Sequence, residues 1–392
     1  MDQHRERAPG PAPITLWAFP FRPFFLSSAL VAALLVPLWL WVWRHGQSTL
    51  ALPPLLWHQH EMLAGFLNAA VAGFLLTAVC NWTGTTPLAG WRLAALWLVW
   101  LAGRLAMALA GDAAPWAVVL DLLFVPLVML DAGVRIWRAR QRRQMVVLLV
   151  LLAFWGLDAA FHWRGDPRYL HALVLLGALL ILVIGGRITP AFTSNWLRQQ
   201  GENPALVTVR PWLDRAALIT VAVLVCLRVA GLTSSPWQAA LALLAALLVL
   251  ARLVGWAGWR TGREPLLWIL HLGHLWVVAG LVLLGLAALS LVPGSAWLHA
   301  LGAGAMGTMV LGVMTRVAVG HTGRPLRLRR GGLTAYLLML CAGLARVAVA
   351  LGVMPMMAGL WLAALAWSGA WLVFLGGYGR ILLTRRADGR PG

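Results

Sequence analysis

The chain has 392 residues, 61% of them apolar and only 11% charged. An ordinary soluble domain carries about 25% charged residues, so a soluble globular fold is excluded. The formal charge of +19 invites a nucleic-acid reading, but the basic residues lie in loops between apolar stretches, the pattern of a membrane protein.

Residues 1–19 are polar and proline-bearing, without the basic start and apolar run of a leader, so no removable signal peptide is expected. His4 falls in this segment. Twelve apolar stretches follow, each long enough to cross a bilayer core of about 30 Å. The predicted spans are 24–43, 58–80, 91–110, 116–136, 145–163, 170–189, 213–231, 237–257, 266–291, 296–319, 332–352 and 355–379. The connections are short, except for a polar stretch at 190–212 with Pro190, Pro204 and Pro211, expected to be a cytoplasmic loop. The fold class is an all-α membrane protein, with residues 1–392 forming a single membrane domain.

Apart from histidine, every basic residue is Arg. Most Arg lie in the termini and even-numbered loops, for example Arg138, Arg140, Arg142 and Arg143, or Arg324, Arg327, Arg329 and Arg330. The odd-numbered loops hold Arg44, Arg164 and Arg168. This asymmetry places both termini in the cytoplasm, and the excess charge meets anionic lipid heads rather than nucleic acid.

A pattern occurs three times. An apolar helix begins near a histidine and reaches a small hydroxyl residue 23 positions later: His60 to Thr83, His171 to Ser194, His299 to Thr322. Gly73 and Gly312 lie 13 residues after their histidines, and Thr83-Gly84 aligns with Thr322-Gly323. The next span in each unit carries Arg104, Arg228 or Arg346. The span after that ends in Trp137-Arg138, Trp259-Arg260 or Tyr378-Gly379-Arg380. The spans thus divide into three four-helix units, at about 20–140, 141–262 and 263–386. Internal repeats of this kind pack around a pseudo-symmetry axis with sites near the interface, here a pseudo-threefold axis.

Ionisable groups inside a membrane are costly and mark function by default. Helix rise puts His299 and His321 about 33 Å apart, so the histidines divide by depth. His58, His60, His162, His171 and His299 are outer; His271, His274 and His321 are inner. Neutral imidazole is a common ligand of copper, iron and zinc, so His60, His171 and His299 are candidate metal ligands. The bland reading, caps at helix starts bonded to water, stands beside it. Asp158 and His162 share a face at i, i+4. They form either the carboxylate behind a metal-bound imidazole or a plain polar pair. His271 and His274 share a face of span 9, as metal ligands or as a helix–helix contact. Arg104, Arg228 and Arg346 need anions. Glu61, Asp121 and Asp158 can supply them, and so can a porphyrin propionate. Cys80, Cys226 and Cys341 read as packed thiols, and the absence of CxxCH argues against covalently attached haem.

These residues carry a family resemblance. Phe21-Arg22-Pro23-Phe24-Phe25, the WHQHEM run at 57–62, AGFLLTAVCNWTG at 72–84, LAGR at 101–104, GGRITPAFTSNW at 185–196, LLWILHLGHLW at 266–276 and MTRVAVGHTGR at 314–324 together resemble the NnrS family. These are polytopic haem–copper membrane proteins of the bacterial nitric oxide response. The likeness covers about residues 16–330, with a weaker tail. It implies haem and copper held through histidine within twelve helices, protection against nitrosative stress, and the bacterial inner membrane. The ligands it implies are His58, His60, His271, His299 and His321, with His171 added from the repeat. Arg316, in the 314–324 motif, joins the Arg trio as a candidate cofactor contact. The family pattern has Tyr where this chain has His274. The three-by-four layout also looks like the main subunit of haem–copper oxidases, but span 10 has one His rather than an HxH pair and span 7 has no His-His pair.

The expected function is a haem/copper protein that limits nitric oxide damage, with nitric oxide or a related small ligand, membrane lipid and an electron donor as partners. Enzymatic turnover is left open. The alternatives are a secondary transporter without metal and a membrane scaffold.

Overall fold

The computed structural model describes residues 15–46 and 50–390; the expectation of no leader and His4 fall largely or wholly outside them. Among the described residues every long element is a helix and none is a strand. Twelve helices follow in order: α1 Phe21–His45, α2 Pro54–Thr83, α3 Gly90–Leu109, α4 Pro115–Arg138, α5 Met145–Arg164, α6 Pro167–Gln199, α7 Pro211–Val229, α8 Pro236–Gly255, α9 Pro265–Ala288, α10 Gly294–His321, α11 Gly332–Ala350 and α12 Met356–Leu383. Six of them begin on proline, which lacks the N–H that a first helical turn leaves unpaired. Asp166, Ser235 and Glu264 cap the starts of α6, α8 and α9 by accepting from backbone N–H groups of the first turn. The Arg168 N–H donated to Asp166 holds that carboxyl below its usual range.

Eleven of the helices are long and apolar enough to cross a membrane. The exception is α7, predicted as a span but carrying Asp214, Arg215 and Arg228 in 19 residues. The expectation of a loop from residue 190 is corrected: Pro190 lies inside α6, which runs on to Gln199. Two features make it tolerable. A π-helical segment at Ile181–Gly185 has already broken the usual hydrogen-bond register. Arg252, buried on α8, donates to the Leu182 carbonyl in that segment (3.2 Å) and to Asp214 (2.6 Å). Among the cysteines, Cys80 is buried but Cys226 is exposed on the surface of α7, where a thiol behaves as a small apolar group and needs no packing partner.

The helices of the repeat form the interior. The most apolar windows of α2, α6 and α10 are 83%, 72% and 67% buried, against 33–39% for α3, α4, α5, α8 and α11. The three touch one another, and the remaining helices surround them. All three contain a π segment: Glu61–Leu67, Ile181–Gly185 and Ala300–Met306. Those of α2 and α10 begin directly after His60 and His299. Gly84 and Gly323 follow in the left-handed conformation, which glycine adopts without strain. The chain closes on itself as α12 packs on α1: buried Arg22 donates to the Leu382 and Thr384 carbonyls (2.8 and 2.7 Å), and Trp367 Nε1 to the Ala32 carbonyl (2.9 Å). The end at which α2, α6 and α10 start is called the upper end below.

Candidate haem and metal sites

A cavity of about 1110 Å³, its mouth included, opens at the upper end between the three central helices. His58, His171, His299 and Arg346 reach it, and Leu63, Phe66, Met306 and Trp367 are among its apolar walls. The His58 ring stacks on Trp39 (4.3 Å between centroids), and its buried Nδ1 has no hydrogen-bond partner. His299 Nδ1 donates to the Ser295 carbonyl (2.7 Å). That bond places the proton on Nδ1 and leaves the Nε2 lone pair for a ligand. His171 lies against the edge of Trp297 (6.3 Å), whose face carries the Arg228 guanidinium (5.1 Å). Among the described residues no carboxylate pairs with Arg346 or Arg228.

The repeat groups His60 with His171 and His299, but His60 faces away from this cavity; its place there is taken by His58, two residues earlier on another side of α2. His60 is buried among Glu61, Asp121 of α4, and Asp158 and His162 of α5. His60 Nε2 lies 3.3 Å from Asp121 Oδ2 and 3.4 Å from Asp158 Oδ1. His162 Nε2 lies 3.0 Å from Asp121 Oδ2 and 3.9 Å from Asp158 Oδ1. Arg104 pairs with Glu61 (2.7 Å) and with Asp121. Protein carboxylates therefore occupy Arg104, whereas Arg346 faces open space. Gly103 makes the Arg104–Asp121 pair reachable: a Cβ there would meet the Asp121 Cα at 3.0 Å, so α3 and α4 touch along their backbones.

The lower half holds His271 and His274 on α9, both buried against Trp256 (centroids 6.4 and 4.8 Å). His271 Nε2 bonds Thr193 Oγ1 (3.0 Å), and His274 Nδ1 donates to the Leu270 carbonyl (2.9 Å). His271 Nδ1 and His274 Nε2 are buried without partners. Gly185, at the end of the α6 π segment, leaves room for this arrangement. A Cβ there would lie 3.0 Å from His274 Nε2 and 2.5 Å from Met309 Cε, so imidazole and thioether flank one point. His321 is not part of this group. It lines a separate lower cavity with Arg316, contacts the Phe21 ring (5.7 Å), and its carbonyl accepts from Arg386 (3.0 Å). The Arg316 guanidinium rests 4.0 Å over the Phe192 ring.

Between the upper and lower groups lies an apolar cavity of about 560 Å³, with Ala70, Phe74, Ile184 and Val310 among the side chains that line it. Phe74 and Ile188 border both this cavity and the lower one.

Sequence reasoning did not bring Asp121 to His162. The i, i+4 spacing of Asp158 and His162 was a legible signal of a polar face, but its partners come from helices whose contact no spacing reveals. No curated protein matches the chain. The sequence model of the NnrS family, described as NnrS protein, matches residues 15–386. The chain belongs to the NnrS family of multi-pass membrane proteins.

Proposed function

We propose that this is a haem- and copper-binding protein of the bacterial inner membrane that limits nitric oxide damage, built as three four-helix units with both termini cytoplasmic. One observation carries the reading: His58, His171, His299 and Arg346 converge on one cavity whose other walls are apolar except for Gln59. Its donors match what a porphyrin needs, with imidazole for the iron and an unpaired guanidinium for a propionate. Bound haem supplies an iron position for nitric oxide and a one-electron couple.

The protein's own residues prepare the site. The Ser295 carbonyl fixes the His299 tautomer, Trp39 holds the His58 plane, and the apolar walls exclude water. Arg228 and Arg316, each laid over an aromatic ring, are further candidates for an anionic group. For copper, His271 and His274 with Met309 offer imidazole and thioether donors, a set suited to Cu(I). His321 stands apart from them and is a candidate only for a separate contact. The apolar cavity below the upper site favours a small uncharged molecule entering from the bilayer. The threefold layout is supported by three buried, π-containing helices. In each, the repeat histidine is linked to the Arg of the next helix: through Glu61 in the first unit, through Trp297 in the second, and across the cavity in the third.

An absorption spectrum and metal analysis of the purified protein decide the matter. A Soret band with bound iron and copper is expected, and His299→Ala should diminish the band. Substrate uptake by proteoliposomes with no bound metal would establish the transporter alternative instead.

A further inference from the structure

The cluster on the other side of α2 has the donor arrangement of a second, non-haem centre. We propose that His60, Asp121, Asp158 and His162 bind one first-row divalent metal ion, separate from the cavity reached by His58.

Four features of the cluster point there. One ligand atom from each of the four residues lies within 4.8 Å of all the others. The imidazole–carboxylate separations across the group are 3.0, 3.3, 3.4 and 3.9 Å. Donors about 2.1 Å from a common ion at tetrahedral angles stand about 3.4 Å apart, so the spacing is that of a ligand shell. Both imidazoles present Nε2 to the centre, and each has its Nδ1 against a carboxylate: His60 on Glu61 (3.1 Å) and His162 on Asp112 (2.7 Å). A carboxylate behind the second nitrogen is what orients a metal-bound histidine.

The charge balance agrees. Glu61 and Asp121 pair with a single guanidinium, Arg104, and the histidines bring two further carboxylates, Asp112 and Asp158. A divalent cation offsets the excess. The competing account is a closed ion-pair network with both histidines protonated. It requires His60 Nε2 to donate to a carboxylate; that nitrogen stands 3.3 and 3.4 Å from Asp121 Oδ2 and Asp158 Oδ1 but meets neither at hydrogen-bond geometry, although both His60 and Asp158 are at least 97% buried (0% and 3% exposed). Two imidazoles and two carboxylates with no sulfur suit Zn²⁺, Fe²⁺ or Mn²⁺ and disfavour Cu⁺. The site stands independently of the haem reading, which rests on other side chains.

Purified protein, stripped with EDTA and dialysed against Zn²⁺ or Mn²⁺ alone, allows retained metal to be counted by mass spectrometry beside haem by pyridine haemochromogen. The wild type should retain one equivalent with micromolar or better affinity. Asp158→Asn and His162→Gln should weaken retention at least about tenfold, and Asp112→Asn, which spares all four donors, by about 10–100-fold. Haem content should be unchanged in each. Should the variants fold poorly, the wild type decides alone: its melting temperature must rise with Zn²⁺ or Mn²⁺, since an ion that binds only the folded state stabilises it. Equal retention by wild type and Asp158→Asn, or no rise in the wild type with either ion, overturns the proposal and leaves the closed ion-pair network.

Discussion

Replacing Arg104 with Met keeps the unbranched apolar stem of the side chain and removes the guanidinium that faces Glu61 and Asp121. The magnitude follows from burial. The Arg104 side chain is 10% exposed, that of Glu61 5% and that of Asp121 0%, so the weak energetics of surface pairs, about 0–1 kcal/mol, do not apply. Each contact at about 4 Å between charge centres is worth about 4 kcal/mol at an effective dielectric of 20. Desolvation of the Arg offsets much of that sum. Removing one partner of a buried pair costs about 3–5 kcal/mol, because the stranded carboxylates stay buried. At about 2 °C per kcal/mol for a chain of this size, Arg104→Met should melt about 6–10 °C below wild type in EDTA-containing detergent buffer, followed by intrinsic Trp fluorescence. Adding Asp121→Asn should recover part of the loss, since it removes one stranded charge. Melting of Arg104→Met within about 2 °C of wild type, with the double variant no better, would refute the assignment of Arg104 to these carboxylates.

Three smaller predictions follow from packing, capping and cavity shape. A Cβ on Gly304 would sit 2.5 Å from the Trp276 ring, so Gly304→Ala should destabilise by about 1–3 kcal/mol in thermal melts. Asp166→Ala should cost about 0.5–2 kcal/mol at neutral pH by removing the cap of α6. Because the folded Asp166 carboxyl is held low, the cap's contribution is present above the unfolded value near 3.9 and fades as pH falls through the folded one; wild-type and variant melting temperatures should converge on acidification. Ala70 lines the apolar cavity, so Ala70→Phe should slow carbon monoxide rebinding after photolysis while leaving the Soret band in place.

The helices and their order were legible because each span announces itself by length and apolarity, and the prolines mark where several begin. Pro190 misled for a physical reason: its usual cost assumes an intact ladder, whereas a π segment and the Arg252 contact to Leu182 lie just upstream. The charges of α7 set it apart from the other helices, yet Asp214 pairs with Arg252 of α8, which no pattern within one helix reveals. The site was half legible. Depth separated His299 from His271 correctly in kind, but azimuth was lost. Spacing alone could not say that His58 faces the cavity while His60, two residues on, faces α4 and α5. His321 shared an inner depth with His271 and lies in a different cavity. The apparent equivalence of His60 and His299 holds for the backbone, since both precede a π segment of seven residues. It fails for their surroundings, because among the described residues carboxylates cluster around the first and not the second.

The most direct test compares His58→Ala with His60→Ala in one set of preparations, measuring haem and non-haem metal per chain in each. If α2 separates two centres, His58→Ala diminishes the Soret band and spares the Zn²⁺ or Mn²⁺ site, while His60→Ala does the reverse. Loss of both signals in both variants, or of neither in either, contradicts the account.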